Sequence, residues 1–330
     1  MAEMLTMLSE EDVGRLVTLR EALGVVREVF GDTAREKAVN FPVVREALRP
    51  GGPIFGVKSA YYPAHGVVGL KAGGYFPANV ARGGTSHQSA VLLCDEESGK
   101  PMAMVSGNLV TRLRTAAAAA VSIDLLARKQ AQTLAIIGAG AQALMHIEAA
   151  LLVRRFQKIT VWNRDPARAE ALLKRIAGRV PITVTAATPR AAVADADVVI
   201  TLTASTKPLI EHDWVQPGCH LACMGADTAG KQEIDALLVA RARLFTDEVR
   251  QALSIGECQT AFKGGRIAPK DLTPLGMVLF QAAPGRRDDR EVTLYDGTGV
   301  AAQDIAMAVL AMDKWAEQRQ ASQEAKSTGR

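Results

Sequence analysis

With 330 residues, 48% hydrophobic and 22% charged, the chain is long enough for two domains and has an ordinary globular composition. A net charge of +4 and 5% aromatic residues supply neither the basic stripe nor the stacking rings of a nucleic-acid binder. No apolar run approaches the ~18 residues of a membrane helix, and Met1 to Met4 lack a basic region leading into an apolar core, so a cytoplasmic protein without membrane association is expected.

In chain order, Ser9 with Asp12 marks a first helix start, and Thr18 with Glu21 forms a capping box before an amphipathic segment over 19–30. Residues 55–62, 66–71 and 89–93 read as strands separated by Gly, Pro and Asn, a mostly antiparallel region. An Ala-rich helix follows over 111–127, because Ala loses no side-chain entropy there, and it serves as the hinge between domains.

The stretch 133–143, Thr-Leu-Ala-Ile-Ile-Gly-Ala-Gly-Ala-Gln-Ala, reads as a buried strand passing through a glycine turn into a helix over 141–155. Gly138 permits the tight turn, Gly140 leaves room for backbone to approach a pyrophosphate, and Ala143 fills the small packing position. Ala141 and Gln142 open the helix, whose free N–H groups suit an anion. The glycines alone are a weak signal, since any tight strand-to-helix turn can use them. The strand over 158–162 completes a βαβ unit and makes the dinucleotide reading the stronger one.

At the end of that second strand an acid would accept from the ribose of NAD, whereas an Arg accommodates the 2′-phosphate of NADP. Asn163-Arg164-Asp165 stand there, so NAD(P)H is the expected cofactor and NADPH the favoured form, with Asp165 as the alternative ribose acceptor. Further strands over 182–185, 198–203, 220–224 and 243–246, with helices over 168–176 and 234–242, predict a doubly wound parallel sheet. An amphipathic helix over 299–315 closes the chain, and the polar residues 316–330 are expected to fray.

The fold class is therefore α/β: a Rossmann doubly wound parallel sheet over 116–299, plus an α+β domain formed by 1–115 with 300–330. Cys94, Cys219, Cys223 and Cys258 suit a reducing compartment; Cys219 and Cys223 lack a second ligand pair and read as buried apolar residues, so no metal is expected.

A cofactor domain does not identify a substrate, which polar residues elsewhere must choose. Phe41-Pro42-Val43-Val44-Arg45, Gly69-Leu70-Lys71-Ala72-Gly73, Arg112-Leu113-Arg114-Thr115, the run from Met224-Gly225-Ala226-Asp227 to Glu233, and the run from Asp296-Gly297-Thr298-Gly299 to Asp304 accompany the glycine turn. In order and spacing these resemble the ornithine cyclodeaminase and μ-crystallin family over about residues 5–315.

That resemblance implies a substrate domain whose sheet joins a second subunit, hence a homodimer. It implies that Arg45, Lys71 and Arg114 grip a substrate carboxylate, and that Lys71 and Asp227 are the catalytic pair. Bidentate Arg forks suit the carboxylate, and a Lys beside them is pushed away from its charged form. By the same resemblance Thr85, Arg114, Thr115, Gln142, Thr203, Ser205, Met224, Gly225 and Thr298 contact cofactor or shape the nicotinamide pocket. The implied activity is NAD(P)H-dependent reduction of a small 2-imino acid, such as iminosuccinate or Δ1-pyrroline-2-carboxylate, to an L-amino acid. Ornithine cyclodeamination, alanine dehydrogenation and non-catalytic binding are the alternatives within the family. Asn163-Arg164 departs from the acid of NAD-using cyclodeaminases. His87 reads either as a structural residue or as a further acid or substrate-side donor, and Lys58, His65 and Arg82 are cations that would hold a second substrate carboxylate if one of them reaches the pocket.

Overall fold

A computed structural model of the chain describes residues 5–328; Met1 to Met4, on which the expectation about targeting rests, lie outside the described residues. The chain divides into two compact units, one of residues up to Arg114 together with those from Val300 onward, the other Thr115–Gly299.

The first unit is a seven-stranded sheet of β1 (Thr6–Leu8), β2 (Val39–Asn40), β3 (Val44–Ala47), β4 (Ile54–Tyr62), β5 (Val67–Tyr75), β6 (His87–Asp95) and β7 (Pro101–Ser106). The order is β1-β7-β6-β5-β4-β2 with β3 also on β4, and every pairing is antiparallel except β1 with β7. Strand alternation puts Lys58, Ala60 and Tyr62 of β4, and Val67, Gly69 and Lys71 of β5, on the buried face. The helix Ala301–Thr328 packs on that face. Gly69 permits this, because a Cβ there would stand 2.7 Å from the Leu92 carbonyl and 3.1 Å from Ile305 Cγ1. The helices Glu10–Leu16 and Leu19–Ala34 start at Ser9 and Thr18, each in a full capping box.

Two boundaries depart from expectation. The last helix runs on to Thr328 where fraying was predicted from 316, because Ala, Glu, Gln and Lys are good helix formers and the packed first half supplies the nucleus. The Ala-rich helix spans Gly107–Leu126, starting before 111.

The second unit holds β8 (Thr133–Ile137), β9 (Lys158–Trp162), β10 (Ile182–Thr185), β11 (Val198–Thr201), β12 (Thr206–Ile210), β13 (His220–Cys223), β14 (Gln232–Ile234), β15 (Arg243–Thr246), β16 (Leu272–Pro274) and β17 (Thr293–Asp296). Eight of them form a parallel sheet in the order β10-β9-β8-β11-β13-β17-β15-β16, and β12 pairs β14 apart from it. Strands β11, β13 and β17 are buried at every residue, as parallel strands covered on both faces must be. The order reverses between β8 and β11, the switch point where open α/β sheets bind ligands.

Three local readings shift here. The helix after the glycine turn begins at Ala143, leaving Ala141 and Gln142 in the turn. Strand β11 stops at Thr201, so Leu202 and Thr203 are loop. Ile234 belongs to β14, and the helix predicted from 234 spans Ala236–Arg241 behind the cap Asp235. Among the described residues no helix is long and apolar enough to cross a membrane.

Candidate functional site

In the second unit the turn after β8 has the geometry a dinucleotide requires. Gly138 sits at φ +110°, a conformation that residues with a side chain rarely adopt, and its N–H donates to the Trp162 carbonyl at the end of β9. At Gly140 a Cβ would meet nothing within 4 Å, so the backbone there is open to approach. Asn163 braces this turn: its Oδ1 accepts from Ala139 N–H at 3.0 Å and its Nδ2 donates to the Asp165 carbonyl. Asp165 caps the helix Pro166–Ile176 through Ala167 N–H, while Arg164 is exposed.

Beyond the switch point, the C-terminal ends of the strands surround buried carboxylates. Glu233, fully buried on β14, accepts from Thr201 Oγ1 at 2.6 Å, from Thr203 N–H and Oγ1 at 2.7 Å each, and from Gly225 N–H at 3.0 Å. It therefore ties the loop after β11 to the loop after β13. A Cβ on Gly225 would lie 2.3 Å from the Thr203 carbonyl and 2.4 Å from Glu233 Oε2, so that contact requires glycine. Glu257 in turn accepts from the N–H groups of Glu233 and Ile234. Burial raises the pKa of both acids, against the donors around Glu233, and the charge of Glu233 adds to the rise at Glu257. Burial likewise lifts Asp296, at the end of β17, to about 7.

Ser205 and Met224 flank these loops. Ser205 N–H donates to Thr203 Oγ1, and Met224 N–H to the Thr201 carbonyl. Asp227 is a third exposed; its Oδ1 accepts from Lys231 Nζ at 2.6 Å and from Thr228 Oγ1 at 3.1 Å. Thr298 is buried with its hydroxyl on Asp247 at 2.7 Å, an acid that also accepts from the N–H of Gly299. Thr115 is buried, and Gln142 is half-buried at the start of its helix. Cys219, Cys223 and Cys258 are buried free thiols; burial pushes Cys219 up to about 12 and the other two well above the usual thiol range.

In the first unit, Lys71 and Arg114 meet on one acid, the last residue of the motif that begins at Asp296. Asp304, wholly buried near the start of the last helix, accepts through Oδ1 from Lys71 Nζ at 2.8 Å and from Arg114 Nε at 3.0 Å. Lys71 also donates to Thr111 Oγ1 at 3.1 Å. Burial, with Arg114 and Arg45 adding to it, draws the Lys71 pKa down to about 8 against the pull of Asp304. Burial works to raise Asp304, but Arg114, Lys71 and Lys58 outweigh it and hold the carboxyl below its usual value. Arg45 lies on β3, register partner of Gly56, and Lys58 is buried on β4.

Thr85 and Arg82 are exposed around the end of the turn Pro77–Arg82. Thr85 Oγ1 donates to the His87 carbonyl, and the His87 ring meets Ser89 Oγ at 3.0 Å. Asp304 had a legible trace, an acid inside an apolar run that ends up buried, whereas Glu233 stands among Lys231, Gln232 and Asp235 and had none.

Residues 3–319 match the model of the ornithine cyclodeaminase/mu-crystallin family. The chain is similar to the iminosuccinate reductase of Paracoccus denitrificans strain Pd 1222, 45% identical over 301 residues that cover 91% of this chain and 93% of the relative. A crystal structure of that reductase of Paracoccus denitrificans in complex with NAD+ superposes with a TM-score of 0.87 at 42% identity, over 95% of this chain and 97% of that one. An archaeal alanine dehydrogenase dimer with bound NAD gives a TM-score of 0.90 at 29% identity, covering 96% and 97%.

Proposed function

Because the chain belongs to the ornithine cyclodeaminase/mu-crystallin family, we propose that it is an NAD(P)H-dependent reductase that converts a small 2-imino acid, such as iminosuccinate or Δ1-pyrroline-2-carboxylate, to an L-amino acid. The observation that carries this reading is the seating of Lys71 and Arg114 on the single buried carboxylate of Asp304. Arg114 spends Nε on Asp304, which directs the outer edge of its guanidinium to a substrate carboxylate, with Arg45 as a second fork. The match to an iminosuccinate reductase supports an imine as the group reduced.

A bound reduced nicotinamide supplies hydride at C4. The residues of the chain hold the imine carbon still, balance the carboxylate, and deliver a proton to nitrogen as the C=N bond becomes C–N. Lys71, with its pKa near 8, is charged at neutral pH yet yields a proton readily, which suits a general acid. Asp227 is the second proton-handling group, kept in place by Lys231.

Gly138, Gly140, Ala141 and Gln142 fit a pyrophosphate, and the loops bearing Thr203, Ser205, Met224, Gly225 and Thr298 fit the nicotinamide end. Asn163 and Asp165 are engaged in bracing and capping, which leaves Arg164 as the group for a ribose 2′-phosphate and favours NADPH. The Paracoccus reductase was solved with NAD+, so both cofactors belong in the test. A homodimer is supported by exposed apolar side chains on the first unit, among them Val39, Phe41, Val44, Leu48 and Phe55, a surface that a second copy would cover.

The test is spectrophotometric: purified protein, NADH or NADPH, and imines from 2-oxo acids with ammonia or preformed cyclic imino acids. Oxidation of the cofactor with an imine is expected. Proline and ammonia from ornithine with catalytic NAD+, and no cofactor oxidation with any imine, would make the chain a cyclodeaminase instead.

A further inference from the structure

Within the second unit, the turn that follows the helix Val249–Ser254 is fixed from two sides. Cys258 N–H donates to Asp296 Oδ2 at 2.9 Å, and a Cβ on Gly256 would lie 2.5 Å from that same oxygen, so the turn seats on Asp296 only with glycine there. Glu257 sends its carboxylate to two successive N–H groups, those of Glu233 and Ile234. Successive N–H groups of a regular strand point to opposite edges, so their meeting on one acid is a departure from the ladder that locks β14 to the turn.

Gln259 opens the short helix Gln259–Lys263 directly after this turn and is 1% exposed. A Gln is seldom buried so completely, because its amide brings a donor and an acceptor that both need partners. Here both find them on backbone. Oε1 accepts from Gly230 N–H at 2.8 Å, and Nε2 donates toward the carbonyls of Gly256 at 2.8 Å, Lys231 at 3.1 Å and Thr228 at 3.3 Å. Three of those four groups belong to the loop between β13 and β14, which has no ladder or helix of its own to satisfy its backbone. Gly230 sits at φ +87°, so the loop makes its tightest bend where Gln259 grips it.

That loop carries Asp227. The Asp227 carboxylate accepts from Lys231 Nζ at 2.6 Å, and the same ammonium donates to the Gly225 carbonyl at 3.2 Å. Gln259 therefore holds the backbone at both ends of the ion pair, at Thr228 beside Asp227 and at Lys231 itself. We infer that Gln259 is a positioning residue that keeps Asp227 in one orientation for proton transfer, acting through the backbone of Thr228, Gly230 and Lys231. The inference rests on reading Asp227 as a proton-handling group of an imine reductase. The role calls for an amide: a carboxylate at this position could accept from Gly230 but has no hydrogen for the carbonyls, and an apolar side chain drops all four bonds.

The experiment measures kcat, imine KM and the NAD(P)H dissociation constant for the wild type, Gln259→Met, Asp227→Asn and the double variant. Gln259→Met keeps the length of the side chain and loses its hydrogen bonds. It is expected to lower kcat about tenfold or more, since small displacements of a reacting group are costly, while imine KM and cofactor affinity stay within about threefold. In the Asp227→Asn background the same change should alter kcat less than about twofold, because the positioned group is already gone. An equal fall in both backgrounds, or an unchanged kcat in Gln259→Met, overturns the inference. Hydrogen exchange of residues 226–232 in the wild type needs neither turnover nor a variant. This loop is expected to exchange at least about tenfold more slowly than an unstructured peptide, and exchange at the unstructured rate overturns the inference even if Gln259→Met does not fold. A wild type that oxidises NAD(P)H with no imine would sink the reductase reading, whereas slow exchange of 226–232 that speeds up in Gln259→Met would still uphold the grip of Gln259 on this loop.

Discussion

Asp304 receives Lys71 Nζ at 2.8 Å on Oδ1, while its other oxygen, Oδ2, is buried without a hydrogen-bond partner among the described residues. A carboxylate that spends one oxygen on two cations sets their spacing and keeps Lys71 charged. Asp304→Asn keeps the shape and removes the charge. Since Asp304 raises the Lys71 pKa, its loss lets burial and Arg114 lower that pKa further. The alkaline fall of kcat/KM for imine reduction, expected near pH 8 in the wild type, should move to lower pH in the variant. Leaving two buried cations without their acid should also cost about 3–5 kcal/mol of stability. A pH profile that stays put would mean that Lys71 is not the titrating group.

Glu233 stands to the loops after β11 and β13 as Asp304 stands to the cations. Its two oxygens accept from Thr201, Thr203 and Gly225. Glu233→Gln replaces one acceptor with a donor, so hydroxyl or amide groups of these loops lose their partner. We expect a stability loss of roughly 2 kcal/mol and a roughly tenfold rise in the NAD(P)H dissociation constant, read by cofactor fluorescence. Loss of stability with unchanged cofactor affinity would reduce Glu233 to a purely structural acid.

Legibility in the sequence followed locality. Strands β8, β9, β10 and β15 start and stop where the residue pattern places them, because short runs rich in β-branched and other apolar residues are local signals. The grouping of Lys71 with Arg114 came only through resemblance, since 43 positions separate them and the acid that joins them lies 190 residues beyond Arg114. Asp304 looks like one polar residue on a helix, and only the packing of that helix on β4 to β6 buries it. Glu233 hides in a three-residue strand too short to show a period.

The proposed preference for NADPH rests on Arg164. It is exposed at the end of β9, beside an Asn163 whose side chain is committed to the glycine turn. Replacing it by Ala should lower kcat/KM for NADPH roughly tenfold or more while changing the NADH value far less, because only NADPH carries the phosphate that the guanidinium would fork. Parallel loss with both cofactors, or a wild type that prefers NADH, would remove the phosphate role from Arg164.

His220 makes stability depend on acid. It is wholly buried on β13, with Nε2 3.1 Å from Ser122 Oγ and Nδ1 2.9 Å from Thr293 Oγ1. Burial, aided by Arg286 and Arg154, lowers its pKa to about 3. The unfolded chain takes up a proton near pH 6.5 while the folded one refuses it, so between those values the unfolded state binds more protons and stability rises with pH. In the other direction, lowering pH from about 6.5 toward 3 costs about 1.4 kcal/mol per pH unit from this residue. His220→Gln cannot take that proton. Urea unfolding at pH 7 should find the variant weaker by about 1–2 kcal/mol, since a flexible amide replaces a ring placed between two hydroxyls. At pH 4.5 the gap should close or reverse, because the wild type alone carries the penalty of a neutral buried imidazole. A gap that holds constant from pH 7 to pH 4.5 would show that His220 titrates alike in both states.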